Sequence, residues 1–332
     1  MANARSRRAR AAAARPLRAL RRRARGLLAP DRPAPAAAGE RYDAWLTHFH
    51  GGELARLEAR CAGGGTECLA HFRALDADLW ALLLTQQYEA FPGIRAVLPQ
   101  APDPALQERW NGASGARLAA QGAAFYRRVR EEFARHGPRP LEDAAVLDFG
   151  CGWGRLTRMF AREVPPERLF GCDPSEPILE VCRANGVPAQ LARSEFVPER
   201  LPFEGPFELA FAFSVFTHLS EPAHERCLCA LYRALAPGGL LLVTLRPPAY
   251  LDLCELMHPV RVPLAPADAR YLFVPHAADP SHPQYGGGEM IYGETVVTLA
   301  YVRERWSEMF ELLAAGILLD DLFQVVLTLR RR

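Results

Sequence analysis

The chain has 332 residues, nearly half of them apolar, which suffices for one large α/β domain with extra segments at its ends or for two domains. No uninterrupted apolar run approaches the roughly 18 residues that cross a bilayer, so no membrane-spanning helix is expected. The formal net charge of +2 hides an asymmetry: residues 1–32 hold eleven Arg and one Asp, a net +10, so the remainder carries −8. An acidic body fits nucleic acid poorly. The complete lack of lysine excludes lysine chemistry.

Residues 1–40 form a basic arm and a Pro/Ala-rich linker, expected to be disordered. The arm offers weak contact with an anionic membrane through its arginines and Leu17, Leu20, Leu27 and Leu28, but Pro16 interrupts any helix there. Arginines break every apolar stretch that a secretory signal needs, while an Arg-rich, acid-poor start is shared with transit peptides. The eight cysteines show no CxxC pair, which agrees with reduced thiols and a cytoplasmic location.

Residues 41–137 read as a helical N-terminal segment, with Leu54, Leu57, Leu69, Phe72, Leu75, Leu79, Leu82 and Leu83 recurring at helical spacing. Residues 138–332 then change grammar to strand, turn, helix, repeated. Strands are expected at Ala145 to Phe149, Arg168 to Cys172, Ala189 to Arg193, Phe207 to Phe213 and Leu240 to Leu245. The helices between them run from Arg155 to Glu163, Ser175 to Ala184 and Ser220 to Leu235. Alternation of this kind predicts a doubly wound, mostly parallel sheet covered on both faces. Two final runs, Phe310 to Leu319 and Phe323 to Leu329, predict a closing antiparallel hairpin. The insertion at 246–299 is too long for a functionless loop and is expected to act as a lid.

The first strand enters Asp148-Phe-Gly150-Cys151-Gly152-Trp153-Gly154, where glycines let backbone N–H groups approach a ligand. A dinucleotide fingerprint would place its third glycine or alanine at position 155, which is Arg155. The G-x-G-x-G spacing behind Asp148 instead resembles motif I of the class I S-adenosylmethionine-dependent methyltransferases. Asp173 closes the second strand in Phe170-Gly-Cys-Asp-Pro174, 23 residues after Gly150, where an acid can take both ribose hydroxyls. Phe213-Ser-Val-Phe-Thr-His-Leu219 and Leu235-Ala-Pro-Gly-Gly-Leu240 resemble later landmarks of that family.

The resemblance implies a Rossmann-like sheet of seven strands, the last antiparallel, and S-adenosyl-L-methionine as cofactor. It places Gly150, Cys151, Gly152, Trp153 and Gly154 along the methionine and adenosine, with Asp148 supporting the loop. Asp173 and Pro174 would meet the ribose, Ser194 or Glu195 the adenine, and Phe213, Ser214 and Val215 the floor beneath the sulfonium. Trp153 reads equally well as core packing. His218 is either a general base for a hydroxyl nucleophile or a residue that orders its loop. Tyr285, Glu289 and Tyr292 are candidate substrate contacts around a glycine hinge at Gly286 to Gly288. His258, His276 and His282 lack metal-ligand spacing, and no metal is expected.

The expected activity is methyl transfer to a sugar, glycan or small metabolite. A nicotinamide-dependent oxidoreductase and a non-catalytic S-adenosylmethionine-binding protein are the alternatives.

Overall fold

The computed structural model describes residues 38–278, 285–286 and 289–332. The basic arm, and Gly287, Gly288 and His282 of the insertion, lie outside the described residues.

The N-terminal segment holds α1 (Ala38–Cys61), α2 (Ala77–Thr85), α3 (Pro92–Val97), α4 (Pro104–Asn111) and α5 (Gly115–His136), with one 3-10 turn at Thr66–Phe72. Boundaries of α2 and α4 have a local cause. Asp76 caps α2 by accepting the Asp78 and Leu79 amides, and Asp103 caps α4 by accepting that of Leu106. Gly112 closes α4 in the left-handed conformation.

The sheet follows: β1 (Val146–Phe149), α6 (Thr157–Phe160), β2 (Leu169–Asp173), α7 (Glu176–Ala184), β3 (Gln190–Arg193), β4 (Phe207–Ala212), α8 (Glu221–Ala234) and β5 (Leu235–Leu245). After α9 (Tyr250–Leu253), the insertion pairs β6 (Tyr271–Pro275) antiparallel with β9 (Gly293–Val297), and β7 (Tyr285–Gly286) with β8 (Glu289–Met290). The chain ends in α10 (Leu299–Arg305), β10 (Phe310–Leu318) and β11 (Asp321–Arg331).

The seven-stranded order is β10-β11-β5-β4-β1-β2-β3. Strands β1 to β5 pair in parallel, and β11 runs antiparallel to β5 and β10. The chain reverses its winding between β1 and β4, which opens a crevice at their carboxyl ends. The expected doubly wound sheet is therefore present.

Alternation along the strands decides which face each residue serves. Leu209, Phe211, Leu240 and Leu242 enter a core shared with the N-terminal helices, while Ala210, Ala212, Leu241 and Val243 pack under α8 and α10. The N-terminal helical segment thus supplies one of the two layers that cover the sheet. Arg162, buried just after α6, and Arg73 of the N-terminal segment tie the two together. Arg162 donates to the Phe72 and Leu75 carbonyls and to the Tyr126 hydroxyl, and Arg73 returns bonds to the Arg162 and Glu163 carbonyls.

Three expectations change in detail. The helix expected from Arg155 to Glu163 is regular only over Thr157–Phe160, because flanking amides such as those of Met159 and Glu163 bond three residues back. Strand β5 starts at Leu235, since Gly238 (φ 75°) and Gly239 let the chain pass from α8 straight into a bulged pairing with β4. The insertion carries its own secondary structure around Leu251, Met257 and Val296.

Candidate active site at the β1/β4 crevice

The glycine loop is held by the end of β2. The Gly150 and Cys151 amides both donate to the Cys172 carbonyl, at 2.8 and 3.0 Å. Gly150 adopts φ 79°, and a Cβ there would fall 2.4 Å from Val215 Cγ2, so the β4 loop packs directly on it. Beneath the loop, the fully buried Arg158 donates to the carbonyls of Gly154, Trp153 and Gln100, and its guanidinium lies 4.6 Å from the Trp153 ring centre. Gly154 itself faces away from the crevice, against Cys182 and Val187.

Asp173 accepts the Gly152 amide on Oδ2 at 3.0 Å and the Ser175 amide on Oδ1 at 2.9 Å. Each carboxylate oxygen keeps a further lone pair, and Asp173 lines the crevice. Burial raises the Asp173 pKa, and the two amides oppose that rise. Asp148 is wholly buried, which lifts its pKa to about 7 against the Thr157 hydroxyl bond of 2.6 Å. Trp153 packs its body against Leu118 and Ile178 and donates Nε1–H to Asn111 Oδ1 at 2.8 Å.

These groups line one end of a cleft of about 720 Å³, together with Pro174 and Ser175. Ser194 and Glu195 do not line it. The Ser194 amide continues the strand by donating to the Asp173 carbonyl, its side chain is buried, and Glu195 turns out to solvent. Phe196 takes the lining position instead. Trp110 and Asn111 reach the same end from α4, so the helical segment roofs the loop. The glycine approach, the inward acid on β2 and the cleft volume all fit an adenosine-bearing ligand with a ribose diol.

The opposite end is assembled from distant parts of the chain. Phe213, Ser214 and Val215 line its floor. Ser214 is left-handed at φ 59°, a conformation that costs a non-glycine residue of order 1–3 kcal/mol and clusters at functional sites. It is pinned by its amide donating to Thr244 Oγ1 at 2.7 Å and by Gln324 Nε2 donating to its hydroxyl at 3.1 Å.

His218 donates Nδ1–H to the Gly293 carbonyl at 2.8 Å, and the Gly293 amide returns a 2.8 Å bond to the His218 carbonyl. Its Nε2 accepts from Arg246 Nη2 at 3.4 Å, and its ring stacks on Tyr292 with centroids 5.0 Å apart. Burial, then the Arg246 charge, bring its pKa down to about 4. Glu294 receives Arg246 at 2.9 Å, the Tyr250 hydroxyl at 3.0 Å and His276 Nε2 at 3.3 Å.

Tyr292 lines the cleft, whereas Glu289 is exposed and does not. Tyr285 is described through its backbone pairing with Met290 alone. Among the described residues, no group of three or more His, Cys, Asp or Glu is placed to hold a metal ion, and no helix is long and apolar enough to cross a membrane.

Sequence reasoning passed over Arg246, Glu294 and Gln324. Only Arg246 carried a local signal, a charge at the carboxyl end of an apolar strand.

Residues 146–239 match the family model described as a methyltransferase domain. A trans-aconitate 2-methyltransferase of Variovorax paradoxus is 32% identical over 126 residues, covering 36% of this chain and 48% of that protein. A demethylmenaquinone methyltransferase of Thermus thermophilus is 33% identical over 111 residues, covering 31% and 47%. The chain thus spans about half the length of the curated relatives it matches. A solved S-adenosylmethionine-dependent methyltransferase from Mesorhizobium loti superposes with a TM-score of 0.43 at 18% identity, covering 64% of this chain and 100% of that one. The motif, the sheet order and the family match agree over residues 146–239, and this segment is similar to the methyltransferase domain of the class I S-adenosylmethionine-dependent methyltransferases.

Proposed function

We propose that the protein transfers a methyl group from S-adenosylmethionine to a small acceptor that binds at the His218, Arg246 and Tyr292 end of the cleft. The observation that carries this reading is the two-ended cleft, with the glycine loop and Asp173 at one end and a polar cluster at the other. The cofactor supplies, when bound, a methyl carbon on a positive sulfur that an acceptor lone pair displaces. The protein's task is then to bring acceptor and methyl within about 3 to 3.5 Å in line. Asp173 and the loop amides hold the adenosine side, with Phe196 proposed as the surface against adenine. The insertion, anchored through the paired bonds between His218 and Gly293, closes the acceptor side as a lid.

His218 serves as a positioning residue. With a pKa near 4 it is uncharged at neutral pH, and with Nδ1–H on the Gly293 carbonyl and Nε2 receiving Arg246 it holds the insertion and the Arg246 guanidinium at the acceptor end. Relatives named for trans-aconitate and for demethylmenaquinone support a small-molecule acceptor; a sugar or glycan fits the cleft as well.

Calorimetric titration with S-adenosylhomocysteine and with NAD tests the cofactor half. Tight binding of the first and no response to the second is expected, and the reverse would return the chain to the oxidoreductases. Release of S-adenosylhomocysteine across a panel of small acceptors tests turnover and separates an enzyme from a mere binder.

A further inference from the structure

Part of the cleft's rim is apolar, with exposed leucines standing beside Asp320 and Asp321 of the lining. At the tip of the β10–β11 hairpin, Leu319 is 83% exposed, Leu322 57% and Phe323 41%. Across from them on the insertion stands Leu253, 63% exposed, and α9 touches the hairpin through the Tyr250 and Phe323 rings, 5.7 Å apart. Phe323 belongs both to this rim and to the lining of the cleft, so the apolar surface is continuous from the acceptor end to solvent. Contiguous exposed apolar surface of this kind marks a binding site.

We infer that the acceptor is an amphiphile whose apolar chain leaves the cleft over Phe323 and lies on Leu319, Leu322 and Leu253. The inference rests on the methyltransferase reading above and names the substrate class for the same site. Two features select this occupant. The patch is continuous with the cleft, so a ligand whose head reaches His218 and Arg246 meets it on the way out. Beside it stand the carboxylates of Asp252, Glu255, Asp320 and Asp321; Asp252 pairs with Arg261 at 2.7 Å and Asp321 accepts Gln121 Nε2 at 2.5 Å without losing its charge, so the net negative border repels an anionic lipid surface.

The test uses 4-hydroxybenzoate esters of ethyl, butyl, hexyl and octyl alcohols, titrated below their aggregation concentrations into the full chain loaded with S-adenosylhomocysteine. Full burial of a methylene strengthens binding about fourfold, so a half-exposed rim gives about fourfold per two methylenes. The double substitution Leu319→Ser with Leu322→Ser lies on the surface and is expected to leave S-adenosylhomocysteine and ethyl ester affinity unchanged while flattening the chain-length dependence to less than twofold per two methylenes. Equal dependence in both proteins, no dependence in either, or no ester binding overturns the inference. So does a double variant that changes only the sedimentation coefficient, which would make the patch a contact between copies, or only retention on phosphatidylcholine vesicles, which would make it a lipid contact. Failure of S-adenosylhomocysteine itself to bind would instead overturn the methyltransferase reading beneath it.

Discussion

The two ends of the cleft are built in different ways. The cofactor end is mostly backbone: amides of Gly150, Cys151 and Gly152 fixed by β2 from above and carbonyls of Trp153 and Gly154 fixed by Arg158 from below. The acceptor end is mostly side chain, with His218, Arg246, Glu294 and Gln324 delivered by four separate segments. Backbone held by short-range bonds tolerates change in neighbouring side chains, so one end can stay constant while the other is rebuilt for a new acceptor.

The largest expected effect breaks the support of the constant end. Arg158→Ala strips the Trp153 and Gln100 carbonyls of their side-chain donor, leaves Gly154 only the amide of residue 158, and empties a buried site, so it should cost about 3 to 5 kcal/mol in urea unfolding. A loss below about 1 kcal/mol would show that the loop stands without its arginine. Next comes Asp173→Ala, which should weaken S-adenosylhomocysteine binding about 30- to 1000-fold, corresponding to roughly 2 to 4 kcal/mol of lost charge-assisted bonds. Because Asp173 also receives the Gly152 and Ser175 amides, the empty protein should lose about 1 to 2 kcal/mol as well. A folded variant with normal affinity would remove Asp173 from the site.

His218 at the acceptor end and His224, buried on α8 against Phe216 and Trp306, should show themselves through pH. His218, held at about 4, and His224, held at about 3 by burial, bind fewer protons folded than unfolded. Each therefore withdraws stability as pH falls below about 6.5, at roughly 1.4 kcal/mol per unit. Asp148 acts oppositely: with its folded pKa raised to about 7, its contribution is present at low pH and declines as pH rises from about 4 to 7. Asp173, raised as well, acts in the same direction as Asp148, so the slope between pH 4.5 and 6 is the balance of two histidines against two acids, and it should fall by about 1 kcal/mol per unit in His224→Phe. Denaturant melts across that range read it directly, and an unchanged slope in the variant would count against the assignment. The smallest effect concerns Gly152, whose φ of 53° disfavours a side chain although its nearest neighbour, Trp110, leaves room. Gly152→Ala should cost about 1 kcal/mol through backbone strain alone.

The contrast between the ends also explains what the sequence made legible. Asp148, the glycines and Asp173 are close in sequence or tied to strand ends, so the family resemblance, carried by motif I, could bring them together. The apolar runs of the strands announced a sheet buried on both faces, and the hairpin at its edge could be read from two β-rich runs around Asp320-Asp321. The acceptor end offered no such spacing: Arg246 meets Glu294 only because β5 ends beside β9, a tertiary event. Ser194 and Glu195 failed to reach the cleft because the chain after β3 continues its pairing for one residue before turning. The layer formed by α1 to α5 was visible as helices but not as part of the sheet's core, since periodicity reveals an apolar face and not what it covers.

The sharing of that core gives the chain an unequal inheritance. The recognisable family segment begins at residue 146, yet Arg162 is tied to Phe72 and Leu75, and the faces of β4 and β5 rest on helices that precede it. What relatives recognise is smaller than what must fold. A library that shuffles this protein at the border of the matching segment would therefore exchange halves of one hydrophobic interior. Viable chimeras should instead take their crossovers in the insertion after β5, whose small core around Leu251 and Met257 is its own.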